Sequence, residues 1–279
     1  MKKILAVMLC LAMVLCMVAC GAENKTTDTQ DTEKQSDTTD EATKNDETVK
    51  DYDNVIKNGK LVIGITEYEP MNYMENGKWT GFDTEFAEAV CEMLGVTAEF
   101  REIEWENKYI ELESGTIDCI WNGMTLCDET YENASCSDPY VINAQVVVMD
   151  KDKVDSYNDT ESMKELTFAV ESGSAGQEAG TACGFDVVEY TAQSDAMMAV
   201  QSGKADACII DITMANAMTG EGTSYEDLAV SFAITEEEYG IAFRKNSDLT
   251  EIVNGFMKEL INDGTLIKLA EKYNLTLYK

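Results

Sequence analysis

The chain has 279 residues, 44% of them hydrophobic, and a formal charge of -32 from 21 basic and 53 acidic side chains. That length is too great for one small core and suits two modest α/β lobes. The charge excludes a phosphate-gripping basic surface, so no nucleic acid is expected as partner. Histidine is absent, which removes the commonest general base and metal ligand; no catalytic residue, metal or cofactor is expected.

Residues 1–20 read "MKKILAVMLCLAMVLCMVAC". Two lysines precede an apolar run of secretory-signal type, too short for a confident membrane span. Its end, Met17-Val18-Ala19-Cys20-Gly21, resembles the bacterial lipobox. That resemblance makes 1–19 a signal peptide and Cys20 the lipidated first residue of the mature protein, held at the extracytoplasmic face of the cell membrane. Residues 21–50 are almost devoid of apolar side chains and cannot offset their ordering entropy by burial. Segment 20–50 therefore reads as a flexible, lipid-anchored linker.

The folded part begins near residue 51. "KLVIGI" (60–65) is a compact apolar strand, and "EYEPMNYMENGKWTGFD" (67–83) a loop with an Asn-Gly turn. "DTEFAEAVCEMLG" (83–95) reads as a helix with Asp83 as N-cap, an apolar stripe through Phe86, Val90 and Leu94, and Gly95 as its stop. "TAEFREI" (97–103), "ENKYIELESG" (106–115) and "TIDCIW" (116–121) continue as strand, helix and strand. The order restarts with "LTFAV", the glycine-rich "SGSAGQEAG" opening a helix, "DVVEY", "SDAMMAVQSG" and "KADACIID". The chain closes with "YGIAFRKN" and amphipathic helices over 248–273. Alternating strands and helices argue for parallel sheets covered by helices. Cys91, Cys119 and Cys208 fall on apolar faces and read as buried thiols; Cys127 and Cys136 lie near each other in a loop and read as free thiols, with a disulfide as the alternative.

Two segments share one form. "SGTIDCIWNGMT" (114–125) and "SGKADACIIDIT" (202–213) each run Ser-Gly, two residues, Asp, an apolar run, then polar residues. Each reads as a helix-to-strand step in its own lobe. In open parallel sheets ligands gather at the carboxyl ends of strands. Trp121, Asn122, Gly123, Met124 and Thr125 hang from one such end, and Asp211 and Thr213 from the matching end opposite. Lobe 1 is expected at 51–146 and 243–279, lobe 2 at 147–242, with hinge strands near 146–149 and 239–243.

The segments "LVIGITEYEPMNY", "GFDTEFAEAVCEMLG", "SGTIDCIWNGMTLCDE", "SDPY", "SGKADACIID", "EYGIAFRK" and "INDGTLIKLAEKYN", in this order and spacing, resemble the family 3 extracellular solute-binding proteins, the polar-amino-acid binders of ABC transporters. The resemblance implies a type II periplasmic-binding-protein fold of two α/β lobes joined by a two-strand hinge and closing on an amino acid. It implies roles as well. Tyr68 would wall the ligand side chain, and Gly123 and Thr125 would offer backbone and hydroxyl contacts. Ser174 and Ala175, at a helix start, would donate to the carboxylate, and Asp211 would accept from the α-ammonium. Packing for Tyr68, a plain turn at "SGSAG" and a helix cap for Asp211 are the alternatives. Asn122, Met124, Glu67 and Trp105 are further candidates, with Trp121 assigned to the core. The family places an Arg where this chain has Thr130. Arg101 and Arg244, the two arginines of the chain, map away from the cleft. Either the helix start at Ser174 and Ala175 holds the carboxylate with Lys108 reaching in as the substitute clamp, or the ligand has no standard α-carboxylate; a solvated surface Lys is the alternative for Lys108.

The expected function is a monomeric lipoprotein delivering an amino acid or related small amine to an ABC permease and its ATPase. A non-transport ligand sensor and a dehydratase-like enzyme on the same fold are the alternatives.

Overall fold

The computed structural model describes residues 48–279; the signal peptide, Cys20 and nearly all of the linker lie outside them. In chain order the strands are β1 (Lys60–Ile65), β2 (Tyr73–Glu75), β3 (Lys78–Thr80), β4 (Thr97–Glu102), β5 (Cys119–Thr125), β6 (Ser135–Cys136), β7 (Val141–Asn143), β8 (Gln145–Asp150), β9 (Thr167–Glu171), β10 (Asp186–Tyr190), β11 (Ala207–Asp211), β12 (Leu228–Ala233) and β13 (Glu237–Phe243). The α-helices are α1 (Asp51–Asn58), α2 (Phe82–Leu94), α3 (Lys108–Glu113), α4 (Asp128–Asn133), α5 (Ala175–Ala182), α6 (Gln193–Gln201), α7 (Ile212–Met218), α8 (Leu249–Asn262) and α9 (Thr265–Lys272).

Two sheets carry the fold. The first runs β4-β1-β5-β13-β6, with β7 also on β13; the second runs β10-β9-β11-β8-β12. In each, three strands are parallel and the remaining pairings antiparallel. Both faces of the second sheet are covered. Val147, Met149, Phe168, Val170 and Ile209 pack into one apolar cluster, and Val146, Val148, Ala169, Cys208 and Ile210 into another. Burial on two faces explains why these strands read as continuous apolar runs.

The repeated unit has one physical purpose in both lobes. Asp118 accepts the Val62 N–H through Oδ2 at 2.9 Å while its own N–H donates to Val62 O. Asp206 does the same to Thr167, at 3.0 Å through Oδ2. Each Asp thus clamps the entering strand to the start of its parallel neighbour, β1 or β9, and satisfies an edge N–H that would otherwise lack a partner.

Two expectations need correction. The lobe crossings are displaced from 146–149 and 239–243. The strand β7 pairs with β13 in the first sheet and β8 with β11 in the second, so the chain crosses at Ala144. The return crosses at 234–236, where Ile234 N–H donates to Gln145 O at 2.8 Å, and 237–242 belongs to the first sheet. An apolar run alone does not say which sheet a strand joins. Asp83 does not cap α2, whose N-cap is Gly81. It lies one residue inside the helix, fully buried, accepting from Gly123 N–H at 2.7 Å and Tyr140 OH at 2.9 Å. Cys127 and Cys136 are free thiols, as the first of the two readings had it.

Candidate interlobe binding site

A cavity of about 580 Å³ lies between the lobes. The carboxyl ends of β5, β9 and β11 point into it, as the strand-end rule requires. The residues given a ligand role line it except Glu67, which is exposed to solvent; of the strand-end residues, Trp121 and Thr213 do not line it.

The lobes stand closed on each other. Lys108 Nζ donates to Gly173 O at 2.8 Å, and Ser172 Oγ to Glu106 Oε2 at 2.8 Å. Tyr68 OH bonds to Thr213 Oγ1. Gly173 sits at φ +72, and a Cβ there would come within 2.8 Å of Glu106 Cα; any side chain would hold the lobes apart.

Asp211, 6% exposed, is the most elaborately held group of the cavity. Its Oδ1 accepts from Asn143 Nδ2 at 2.6 Å, Gln145 Nε2 at 2.7 Å and Tyr239 OH at 2.6 Å, and its Oδ2 from Gln193 Nε2 at 2.5 Å. It occupies the N-cap position of α7 without a side-chain capping bond, so capping does not explain it. Tyr239 continues to Tyr68 OH at 2.6 Å, tying the first-loop aromatic to the Asp211 network.

Several predicted residues line the cavity in roles other than those expected. Gly123 spends its N–H on Asp83, so that donor is not left for a ligand. Its φ of +58 and a Cβ position 2.7 Å from Tyr68 Cε1 make glycine necessary there. Asn122 is committed to Thr66, whose N–H and hydroxyl donate to its Oδ1 at 3.0 and 2.8 Å; it fixes the first loop. Ser174 caps α5, its Oγ accepting from Gln177 N–H at 3.2 Å. First-turn N–H groups of such a helix have no intrahelical acceptor and face anions well. Trp121 is core, edge-on to Phe86 with centroids 4.7 Å apart. Lys108 is 4% exposed, its Nζ 5.0 Å from the Trp105 ring centroid and 4.8 Å from that of Tyr109. Burial lowers its pKa, while Glu129 and Glu171 act the other way.

Sequence reasoning missed Glu171, the last residue of β9, 3% exposed and lining the cavity. Burial, then Asp211, pushes its carboxyl up to about 8. The strand-end rule that selected Asp211 selects Glu171 equally. Glu237, whose Oε1 accepts from Gln145 Nε2 at 2.8 Å, is likewise pushed up to about 8 by burial and Asp211. Gln193, Glu129 and Glu178 were also missed.

The sequence model of the bacterial extracellular solute-binding proteins, family 3, matches residues 61–276. The chain belongs to that family. This family 3 protein is 30% identical over 221 residues to the arginine-binding extracellular protein ArtP of Bacillus subtilis strain 168, covering 77% of this chain and 86% of that relative. It is 30% identical over 225 residues to the L-cystine-binding protein TcyJ of Escherichia coli strain K12, covering 78% and 84%. A crystal structure of a mutant ArgBP from T. maritima superposes with a TM-score of 0.74 at 31% identity, covering 80% of this chain and 98% of that one. The ancestral amino acid-binding protein AncCDT-1, described as a precursor of cyclohexadienyl dehydratase, superposes with a TM-score of 0.72 at 29% identity, covering 80% and 99%. At the position where the resemblance implies an Arg, this family 3 protein places the buried Thr130, whose hydroxyl donates to Thr125 O at 2.7 Å and accepts from Tyr109 OH at 3.2 Å. Arg244 is bound to Asp51 and Asp118 and Arg101 to Glu99 and Thr116 O; neither lines the cavity.

Proposed function

We propose that this chain is the substrate-binding lipoprotein of an ABC importer, without enzymatic activity of its own. It captures an amino acid or related small amine between its lobes and passes it to a membrane permease. The observation that carries the reading is Asp211: a carboxylate held by four neutral donors at the wall of the interlobe cavity, where an ammonium group supplies the missing charge. Lys108 is the one cationic side chain of the lining among the described residues, and with the start of α5 it offers a counterpart for a ligand carboxylate. The relatives named for arginine and cystine support an amino-acid ligand, and AncCDT-1, though placed before a dehydratase, is itself named a binding protein.

Closure by the ligand is a population shift, since only the closed form brings Asp211, Lys108 and Ser174 onto one molecule. A thermal-shift screen of the twenty amino acids, cystine, diamines and small peptides tests the reading. A ligand that binds only the folded state adds about 2.7 kcal/mol of stability at a hundredfold excess over Kd and so raises the melting temperature. No shift from any compound, together with turnover of a test metabolite, would favour an enzyme. The lipid anchor is tested at Cys20. Its replacement by Ser releases the protein from cells or blocks processing, whereas a free Cys20 thiol in the mature protein contradicts the anchor.

A further inference from the structure

We infer that Glu171 is a second ligand-binding carboxylate, which makes the cavity select a ligand of net positive charge over a neutral amino acid. This rests on the amine-binding reading above and deepens it. Four carboxyl groups line the cavity, from Glu129, Glu171, Glu178 and Asp211, against the single ammonium of Lys108. That is a formal charge of -3 when all are ionised, four negatives less one positive. Lys108 is already engaged with Gly173 O and the faces of Trp105 and Tyr109.

Glu171 and Asp211 end adjacent parallel strands, β9 and β11. Gln193 lies beside both, and its Nε2 donates to Asp211 Oδ2 at 2.5 Å. A carboxylate has about four acceptor positions, and Glu171 lines the cavity, so it can accept from a ligand there. A zwitterion with a neutral side chain brings one ammonium, which Asp211 alone neutralises. Its carboxylate takes up the charge of Lys108, and Glu171 is left buried with no cation.

Two buried carboxylates do not ionise together without a second positive charge. The groups facing Glu171 are Asp211 on β11, Lys108 on α3, and Gln193 and Asp195 on α6, with Glu129 and Glu178 also on the cavity wall. The acids outnumber the one ammonium, so the empty site keeps a proton on Glu171. A ligand with a second cationic group takes its place: the Glu171 O–H bond breaks, the proton leaves to buffer, and the carboxylate accepts from the ligand. The shared chemistry is a guanidinium or second ammonium, whether on a basic amino acid or on its decarboxylated amine.

The experiment is calorimetric titration of the purified protein and of Glu171→Gln with L-arginine, agmatine and L-glutamine, in two buffers of different ionisation enthalpy, at about pH 6 and about pH 9. Wild type is expected to bind a cationic probe about tenfold or more tighter than glutamine, the scale of one charge-assisted hydrogen bond. It should release a proton on doing so near neutral pH, with affinity rising as pH rises. Glu171→Gln should lower affinity for the cationic probe about tenfold more than for glutamine and end the proton release. Glu171→Asp, which keeps the charge, should retain part of the preference and guards against a misfolded glutamine variant. Tighter binding of agmatine than arginine assigns the ligand to carboxylate-free amines, and the reverse to basic amino acids; both support Glu171. Glutamine binding as tightly as arginine, or a preference unchanged in Glu171→Gln, overturns the assignment while leaving amine binding intact. No binding of any probe or amino acid overturns both.

Discussion

Asp211→Asn isolates the charge on which the site depends. The carboxylate takes three donors on Oδ1 and one on Oδ2. In the variant the amide oxygen must keep the three-donor corner, which turns the new NH2 toward Gln193 Nε2. Gln193 can relieve that donor–donor contact by rotating, but its Oε1 then leaves the Asp211 N–H it accepts at 3.0 Å. One hydrogen bond of about 1 kcal/mol is lost within the protein. Loss of the ligand's partner adds about 2–5 kcal/mol, because the ammonium is left buried and unpaired. The affinity should therefore fall roughly thirtyfold to several-thousandfold. Folding should be little affected, since the variant also removes a buried charge. Isothermal calorimetry with the best ligand from the screen measures the first quantity and thermal unfolding of the empty protein the second. Affinity within about threefold of wild type, well under the cost of one buried charge pair, would refute the assignment of Asp211 to the ammonium.

Lys108→Met should abolish binding of a carboxylate-bearing ligand while sparing its decarboxylated amine; equal losses for the two in parallel titrations would remove Lys108 as the carboxylate holder. Arg244→Met strands Asp51 and Asp118, whose carboxylates lie 2.8 and 3.1 Å from its Nη2. Urea unfolding should show a loss of about 3–5 kcal/mol, and a loss below about 1 kcal/mol would place this ion pair among the exposed, weak ones. Stability of the ligand-free protein should fall as pH rises from about 5 to about 8. Asp83 at about 7 and Glu171 and Glu237 at about 8, each raised first by burial, stay protonated in the folded chain after the unfolded chain has ionised. Their contribution is complete below the unfolded carboxyl range and is lost as pH passes through those values. A melting temperature that climbs over this interval would contradict the burial of these three groups.

The periodic elements and the strand-end rule were legible because local pattern and tertiary role coincide. The Asp118 and Asp206 repeat stands at matching helix-to-strand steps, and Asp211 ends a strand that is apolar throughout. Which strands cross between lobes was not legible. Val146–Met149 and Tyr239–Phe243 are equally apolar whichever sheet they join, and only pairing shows that the crossings fall at Ala144 and 234–236. Asp83 looked like a cap because acidic residues at helix starts usually are; its tertiary partners, Gly123 and Tyr140, are 40 and 57 residues away in sequence. Glu171 was hidden by its setting. An acid before a glycine-rich turn reads as a solvated turn residue until the opposing lobe covers it.

The most direct test of the account is a crystal structure of the protein grown with the tightest ligand from the thermal screen. The lobes should be closed on that ligand, with its amine nitrogen within about 3.2 Å of Asp211, its cationic side chain toward Glu171, and any carboxylate facing Lys108 or the start of α5. A ligand lodged outside the interlobe cavity, or one whose amine points away from Asp211, would contradict it.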